Sequence, residues 1–208
     1  RFLSGEIDFT NELPTEHFKR LKKENPESLS IQGNLCTYYY IFNTKKEPFD
    51  DVRVRKAISY AIDRNIVANA ILGQGQKPAY FLTPEITAGF DPELPAYGKM
   101  SQKERNAEAE RLLEEAGYGK DNPLNFNLLY NTSENHKKIA VALGSMWKKL
   151  GLEVVLENQE WKTYLQTKDE GNFSVARAGW CGDYNEASSF LTLMASANTT
   201  GGQHWGNA

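Results

Sequence analysis

From residue 120 onward, strand-forming runs take turns with helical runs, and this alternation restricts the fold more than any other feature of the chain. Leu124, Phe126, Leu128 and Tyr130 alternate with Asn125, Asn127 and Leu129, which predicts a strand. Thr132 or Ser133 then caps a helix that holds Ile139, Leu143, Met146 and Trp147 and stops at Gly151. Residues 152–156 read as the next strand, a short helix follows around Trp161 and Leu165, and 173–178 read as another strand. Asp183 or Asn185 is a cap candidate for a helix through Phe190, Leu193 and Met194. Strands joined by helical crossovers predict an α/β fold with a mostly parallel sheet. Ligands of open α/β sheets bind outside the carboxyl ends of the strands. That rule singles out Gly179-Trp180-Cys181-Gly182-Asp183, between a predicted strand and a predicted helix.

The first half of the chain is less regular. Glu12-Leu13-Pro14-Thr15 opens a short helix with Phe18 and Leu21 that Pro26 ends, and residues 35–42 have the aromatic and β-branched composition of a strand. Asp50 and Asp51 are N-cap candidates for a long helix striped by Val54, Ala57, Ile58, Ala61, Ile62, Ile66 and Ile71, stopped by Gly73 and Gly75. Pro78, Pro84, Pro92 and Pro95 make 76–100 an irregular crossing. Ser101 and Glu104 form a capping box for a helix through Leu112 and Leu113 that ends at Gly117. Residue 1 is an arginine followed by folded-looking sequence, and Gly201 to Ala208 close no recognisable element. Both ends are therefore expected to lie inside a longer precursor.

Several function classes lack their residues. A net charge of −3 without a basic stripe argues against nucleic acid as a partner. No apolar run approaches the roughly 20 residues that span a bilayer. His17, His136 and His204 share no ligand spacing with one another or with the cysteines, so no metal site is expected. Gly117-Tyr118-Gly119-Lys120 lacks the rest of either nucleotide-binding fingerprint, and no cofactor is expected. Trp180-Cys181-Gly182 is not a redox motif, because position 184 is tyrosine where a second cysteine is required. Cys181 with His136 as a nucleophile pair has no local support. On spacing alone, Cys36 and Cys181 fit either one disulfide in an oxidising compartment or two unpaired thiols.

Arg177 and Asp183 carry the most chemistry. An arginine inside the apolar run 173–178 needs a partner or a solvent-filled cavity. It is read either as half of a structural ion pair or as an anchor for a ligand anion, with Asp183 meeting a ligand cation. Trp161, Trp180 and the run Tyr38-Tyr39-Tyr40 are read first as core or strand residues and second as ligand platforms.

The run Pro48-Phe49-Asp50-Asp51-Val52-Arg53-Val54-Arg55-Lys56-Ala57, with Ala61-Ile62-Asp63-Arg64, resembles the signature of the extracellular solute-binding family for peptides and nickel. Leu129-Tyr130-Asn131-Thr132-Ser133, Asn158-Gln159-Glu160-Trp161-Lys162-Thr163 and Ala176-Arg177-Ala178-Gly179-Trp180-Cys181 are similar to its oligopeptide-binding members from Gram-negative peptide importers. The resemblance covers essentially all 208 residues. It implies a periplasmic-binding-protein-like fold of type II, with two lobes around a hinge and a peptide enclosed between them. Residues 1–35 would belong to the first lobe and 36–208 to the second, peptide-clamping lobe. The resemblance also implies a Cys36–Cys181 disulfide, a periplasmic monomer, short peptides as ligands, a membrane permease of an ABC transporter as partner, and no catalysis. Residue by residue, it assigns the peptide ammonium to Asp183 and the peptide main chain to the backbone around Gly179 and Cys181. Side-chain pockets fall to Trp161 and Trp180, and the peptide carboxylate to Arg177 and His136. Ile41, Leu72 and Lys168 depart from close relatives, which bears on peptide length and side-chain preference. Murein peptide, haem or nickel in the same fold is the alternative set of ligands, and a peptidase using the same cleft is the alternative from another class.

Overall fold

Cys36–Phe42, rich in aromatic and β-branched residues, forms strand β1, the edge of a four-stranded sheet. The computed structural model describes residues 1–10, 13–119 and 121–195. Expectations that fall on Glu12, Lys120, His204 and the closing stretch from Gly201 lie outside the described residues. In chain order the elements are α1 (Thr15–Glu24), β1, α2 (Val52–Tyr60), the π-helical segment Ile66–Leu72, α3 (Ala96–Lys99), α4 (Gln102–Glu115), β2 (Asn125–Asn131), α5 (Glu134–Lys148), β3 (Glu153–Gln159), α6 (Trp161–Asp169), β4 (Val175–Cys181) and α7 (Ser188–Leu191).

The strand order is β1-β4-β2-β3. β2 pairs in parallel with both β3 and β4, as helical crossovers require, whereas β1 pairs antiparallel with β4 along all seven of its residues. The parallel reading thus holds for the β2-α5-β3-α6-β4 part, and β1 is an antiparallel addition contributed from far upstream.

The period of two sorts each strand's side chains onto two faces. On one face Phe126, Leu128, Tyr130 and Val175 pack against α2 (Val54, Ala57, Ile58), α4 (Ala109, Leu112, Leu113) and α5 (Ile139, Leu143, Trp147). Trp147 is fully buried there, and its indole N–H donates to the Ile58 carbonyl at 2.9 Å. On the other face Ile41, Leu129, Ala176 and Ala178 pack against Tyr164 of α6 and Phe173. The crossovers α5 and α6 therefore lie on opposite faces of the sheet.

Local chemistry explains where the elements differ from the sequence reading. The long helix expected from Asp50 to Gly73 is two pieces. Asp51 caps the first by accepting from the Arg53 N–H at 2.7 Å. Asp63 breaks the run, because its carboxylate accepts from the Asn65 and Ile66 N–H groups and competes with helical hydrogen bonds. The Arg64 guanidinium takes up the Ser59 and Ile62 carbonyls at that break. The crossing at 76–100 is irregular as read, apart from α3. The capping box at Ser101 and Glu104 forms as the sequence predicts. Thr132 is not the cap of α5: its hydroxyl donates to the Asn158 side chain and lies 3.1 Å from the Gln159 carbonyl, while Ser133 holds the N-cap position.

Candidate functional site

Strand β4 continues through Cys181, so Gly179, Trp180 and Cys181 lie within it rather than beyond it. That correction fixes where their backbone groups point. Gly182 N–H donates to Leu35 O at 2.8 Å, and Asn43 N–H donates to Ser174 O at 2.9 Å. In the antiparallel register these bonds direct the even-numbered β4 residues toward β1. The main-chain N–H and C=O groups of Arg177, Gly179 and Cys181 therefore face the opposite edge. β2 covers that edge only at Val175 and Ala176. Past Ala176, β4 diverges from β2 and leaves a stretch of strand edge open, at the carboxyl ends of two parallel strands whose crossovers lie on opposite faces. This is where open α/β sheets place their ligands.

Cys36 and Cys181 are directly opposed in the β1–β4 ladder and joined by a disulfide. The bridge closes a separation of 145 residues. In the chain-entropy model a loop that long corresponds to about 5 kcal/mol of stabilisation. It clamps the free end of β4 beside the open edge.

Arg177 lies on the face of β4 that carries Val175, and its guanidinium stands 4.8 Å above the Tyr38 ring. It donates to the Asn131 side chain at 3.4 Å, and its Nε is buried with no partner among the described residues. No ion pair of Arg177 occurs among the described residues, which removes the structural ion pair as an explanation for it. The Tyr38 hydroxyl lies 3.3 Å from His136 Nδ1 and 3.4 Å from the Tyr40 hydroxyl. Burial, and secondly the Arg177 charge, bring the His136 pKa down to about 4, so its imidazole is neutral near pH 7. Burial likewise raises the Tyr38 and Tyr40 phenols above their ordinary value. Lys168 of α6 is buried, and its pKa is lowered, first by desolvation. Among the described residues no carboxylate pairs with Arg177, so an anion fits beside its guanidinium.

Of the predicted site residues, Arg177 and His136 meet through Tyr38. Trp161 is half exposed and stacks on Tyr164 with ring centroids 5.8 Å apart. The Tyr164 hydroxyl in turn donates to the Arg177 carbonyl on the open edge. Trp180 is partly buried, and its indole N–H is engaged, donating to the Ser189 carbonyl at 2.7 Å.

Asp183 is exposed, five residues before the short helix α7, and does not hold its N-cap position, which is Ala187. Asn185 does not cap that helix either; it accepts from the Ala88 N–H at 2.7 Å. The Asp183 carboxylate makes no hydrogen bond or ion pair with another described residue, while its backbone N–H donates to the Ser189 hydroxyl at 2.9 Å. The sequence reading missed Tyr164, Asn131 and Ser189. Tyr164, three residues after Trp161 on a helical period, was open to detection; Ser189 carried no signal beyond its place before Phe190.

Solved structures match this arrangement. The murein tripeptide binding protein MppA of Escherichia coli aligns with a TM-score of 0.93 at 51% identity, covering 99% of this chain and 40% of that one. Haemophilus influenzae OppA, in complex with RPPGFSPFR, aligns with a TM-score of 0.91 at 46% identity, covering 99% of this chain and 41% of that one. The fold is that of the periplasmic binding proteins, of which this chain accounts for a part. In sequence, the periplasmic oligopeptide-binding protein OppA of Salmonella typhimurium is 53% identical over 207 residues, which is 99% of this chain and 38% of that protein. The chain spans less than half the length of the relatives it matches. The model of bacterial extracellular solute-binding proteins, family 5 (middle part), matches residues 1–202, and the chain belongs to that family.

Proposed function

We propose that this chain forms most of the peptide-clamping lobe of a periplasmic receptor for an ABC importer, which captures short peptides by their free N-terminus and main chain and catalyses nothing. Residues 1–35 belong to the first lobe and 36–208 to the second, and the complete protein acts as a monomer that delivers peptide to a membrane permease. One observation carries the reading: the open edge of β4 runs from the Arg177 guanidinium, which has no ion-pair partner among the described residues, toward a carboxylate at Asp183 that has no partner among them.

An extended peptide laid along that edge adds a strand and uses the backbone groups of Gly179 and Cys181. Such contacts ignore side chains and permit many sequences. The two charges fit a peptide's two ends, ammonium at Asp183 and carboxylate at Arg177, with neutral His136 as a further donor. Six residue steps separate them, at most about 20 Å at the rise of an extended strand, which limits the guest that bridges both to a handful of residues. Trp161 and Trp180 flank the edge and offer aromatic surface to guest side chains.

Isothermal titration of the complete protein with tri- to pentapeptides tests the reading. Binding of free peptides and loss of binding on N-acetylation are expected; equal binding of both forms overturns the role of Asp183. A murein peptide is the second reading, favoured by 52% identity over 200 residues to the murein peptide-binding protein of Escherichia coli. Mass spectrometry of ligand released from protein as purified separates the two.

A further inference from the structure

We propose that Ser189 is a positioning residue for the ammonium site: it fixes the turn that presents Asp183, and so sets how strongly the receptor prefers a free N-terminus. The inference rests on the reading of Asp183 given above. Ser189 is 3% exposed. It engages the turn at both ends. Its hydroxyl accepts from the Asp183 N–H at 2.9 Å, and its carbonyl accepts from the Trp180 indole N–H at 2.7 Å.

Between these two anchors, Gly182 donates to Leu35 O of the segment leading into β1. A Cβ at position 182 would come within 2.9 Å of the fully buried Phe190 ring, so the turn lies directly against the residue that follows Ser189. The Cys36–Cys181 bridge holds the same turn from the strand side. The Asp183 carboxylate itself is held by no described residue, so its aim depends on its backbone, and the Ser189 hydroxyl is the side-chain group that fixes that backbone. Ion-pair strength depends steeply on distance and geometry when the partners are desolvated. A turn released at one end therefore loses selectivity for the charged ammonium more than it loses the main-chain contacts along β4.

The test uses the complete protein and tri-alanine with its N-acetyl form, titrated against Ser189→Ala, Ser189→Thr and Asp183→Asn. Ser189→Ala is expected to weaken the free peptide about five- to ten-fold, the range of one lost hydrogen bond, and to leave the acetylated peptide unchanged. Ser189→Thr, which keeps the hydroxyl, is expected to retain the preference. An unchanged ratio of the two affinities in Ser189→Ala overturns the proposal, whether both affinities hold or both fall. Amide hydrogen exchange of the unsubstituted protein without peptide gives a reading that needs no variant: the Asp183 N–H is expected to be protected, and exchange at the rate of an open amide overturns the proposal. If Asp183→Asn leaves the preference intact, the ammonium reading itself fails. If Asp183→Asn abolishes the preference and Ser189→Ala does not reduce it, only the positioning role fails.

Discussion

The Arg177 guanidinium lies 4.8 Å above the Tyr38 ring, and the described residues supply it with no carboxylate. A partly buried cation held by a ring face and one long hydrogen bond contributes little to the fold. The ring contact is worth about 0.5–2 kcal/mol, and desolvation of the charge opposes it. Arg177→Met is accordingly expected to cost the peptide-free protein no more than about 1 kcal/mol, or to stabilise it, while weakening peptides with a free carboxylate far more than their C-terminal amides. Urea unfolding without ligand, set beside titration of both peptide forms, checks this. A loss of several kcal/mol without ligand would mean that Arg177 is structural after all.

His136 supplies a pH dependence with a definite sign. Its folded pKa of about 4 lies below the ordinary 6.5, so between these values the unfolded chain binds a proton that the folded chain refuses. The stability contributed by neutral His136 is fully present above pH 6.5 and is lost as pH falls toward 4. The imidazole is only about half buried, so solvent screening reduces the effect to about 1–2 kcal/mol. His136→Asn is expected to flatten the stability–pH curve in that window, and Arg177→Met to raise the His136 pKa by removing the lesser of its two causes. Nuclear magnetic resonance titration of the imidazole in each variant reads this directly.

The legible parts of the structure were those whose cause is local. β1, the Ser101–Glu104 capping box and the β2-α5-β3-α6-β4 series follow from hydrogen-bonding side chains and period-two patterns within a few residues. The antiparallel docking of β1 on β4 joins residues as far apart in the chain as Cys36 and Cys181, a separation of 145, and no periodicity encodes a partner at that distance. The helix broken at Asp63 kept its apolar stripe on both sides, so hydropathy could not show the break; the carboxylate that competes for the Asn65 and Ile66 amides made it. Likewise Gly179-Trp180-Cys181 read as a segment past a strand, because glycine is a weak strand former. Pairing with Tyr38, Thr37 and Cys36 overrode that propensity. Arg177 was visible as a charge inside an apolar run and Asp183 by its place between a strand and a helix, whereas Ser189 and Tyr164 act only through partners that the fold brings to them.

The disulfide separates stability from site integrity. Reducing it, or replacing both cysteines by alanine, is expected to lower unfolding free energy by about 2–5 kcal/mol, bounded by the loop-closure value for this separation. Because Cys181 ends β4 two residues before Asp183, reduction is also expected to weaken peptide binding at temperatures well below the unfolding transition. Titration with and without a thiol reductant at 20–25 °C, with circular dichroism to show that the fold persists, measures the two effects apart.

Gly179 lets a guest chain approach. A Cβ there would sit 3.2 Å from Arg177 Nη2 and 3.6 Å from the Thr37 carbonyl. The nearer atom is the end of a flexible side chain, and position 179 is exposed, so the fold tolerates a larger residue at a cost of about 1 kcal/mol or less. The same bulk displaces the guanidinium and stands beside the open edge at its middle backbone position. Gly179→Leu is therefore expected to keep its thermal midpoint within a few degrees and to lose at least ten-fold in peptide affinity, with free and C-terminally amidated peptides both affected because the strand contact itself is blocked. Gly179→Ala should fall between the two. If Gly179→Leu binds tri-alanine as tightly as the unsubstituted protein, the guest does not run along β4, and the strand-addition geometry is wrong.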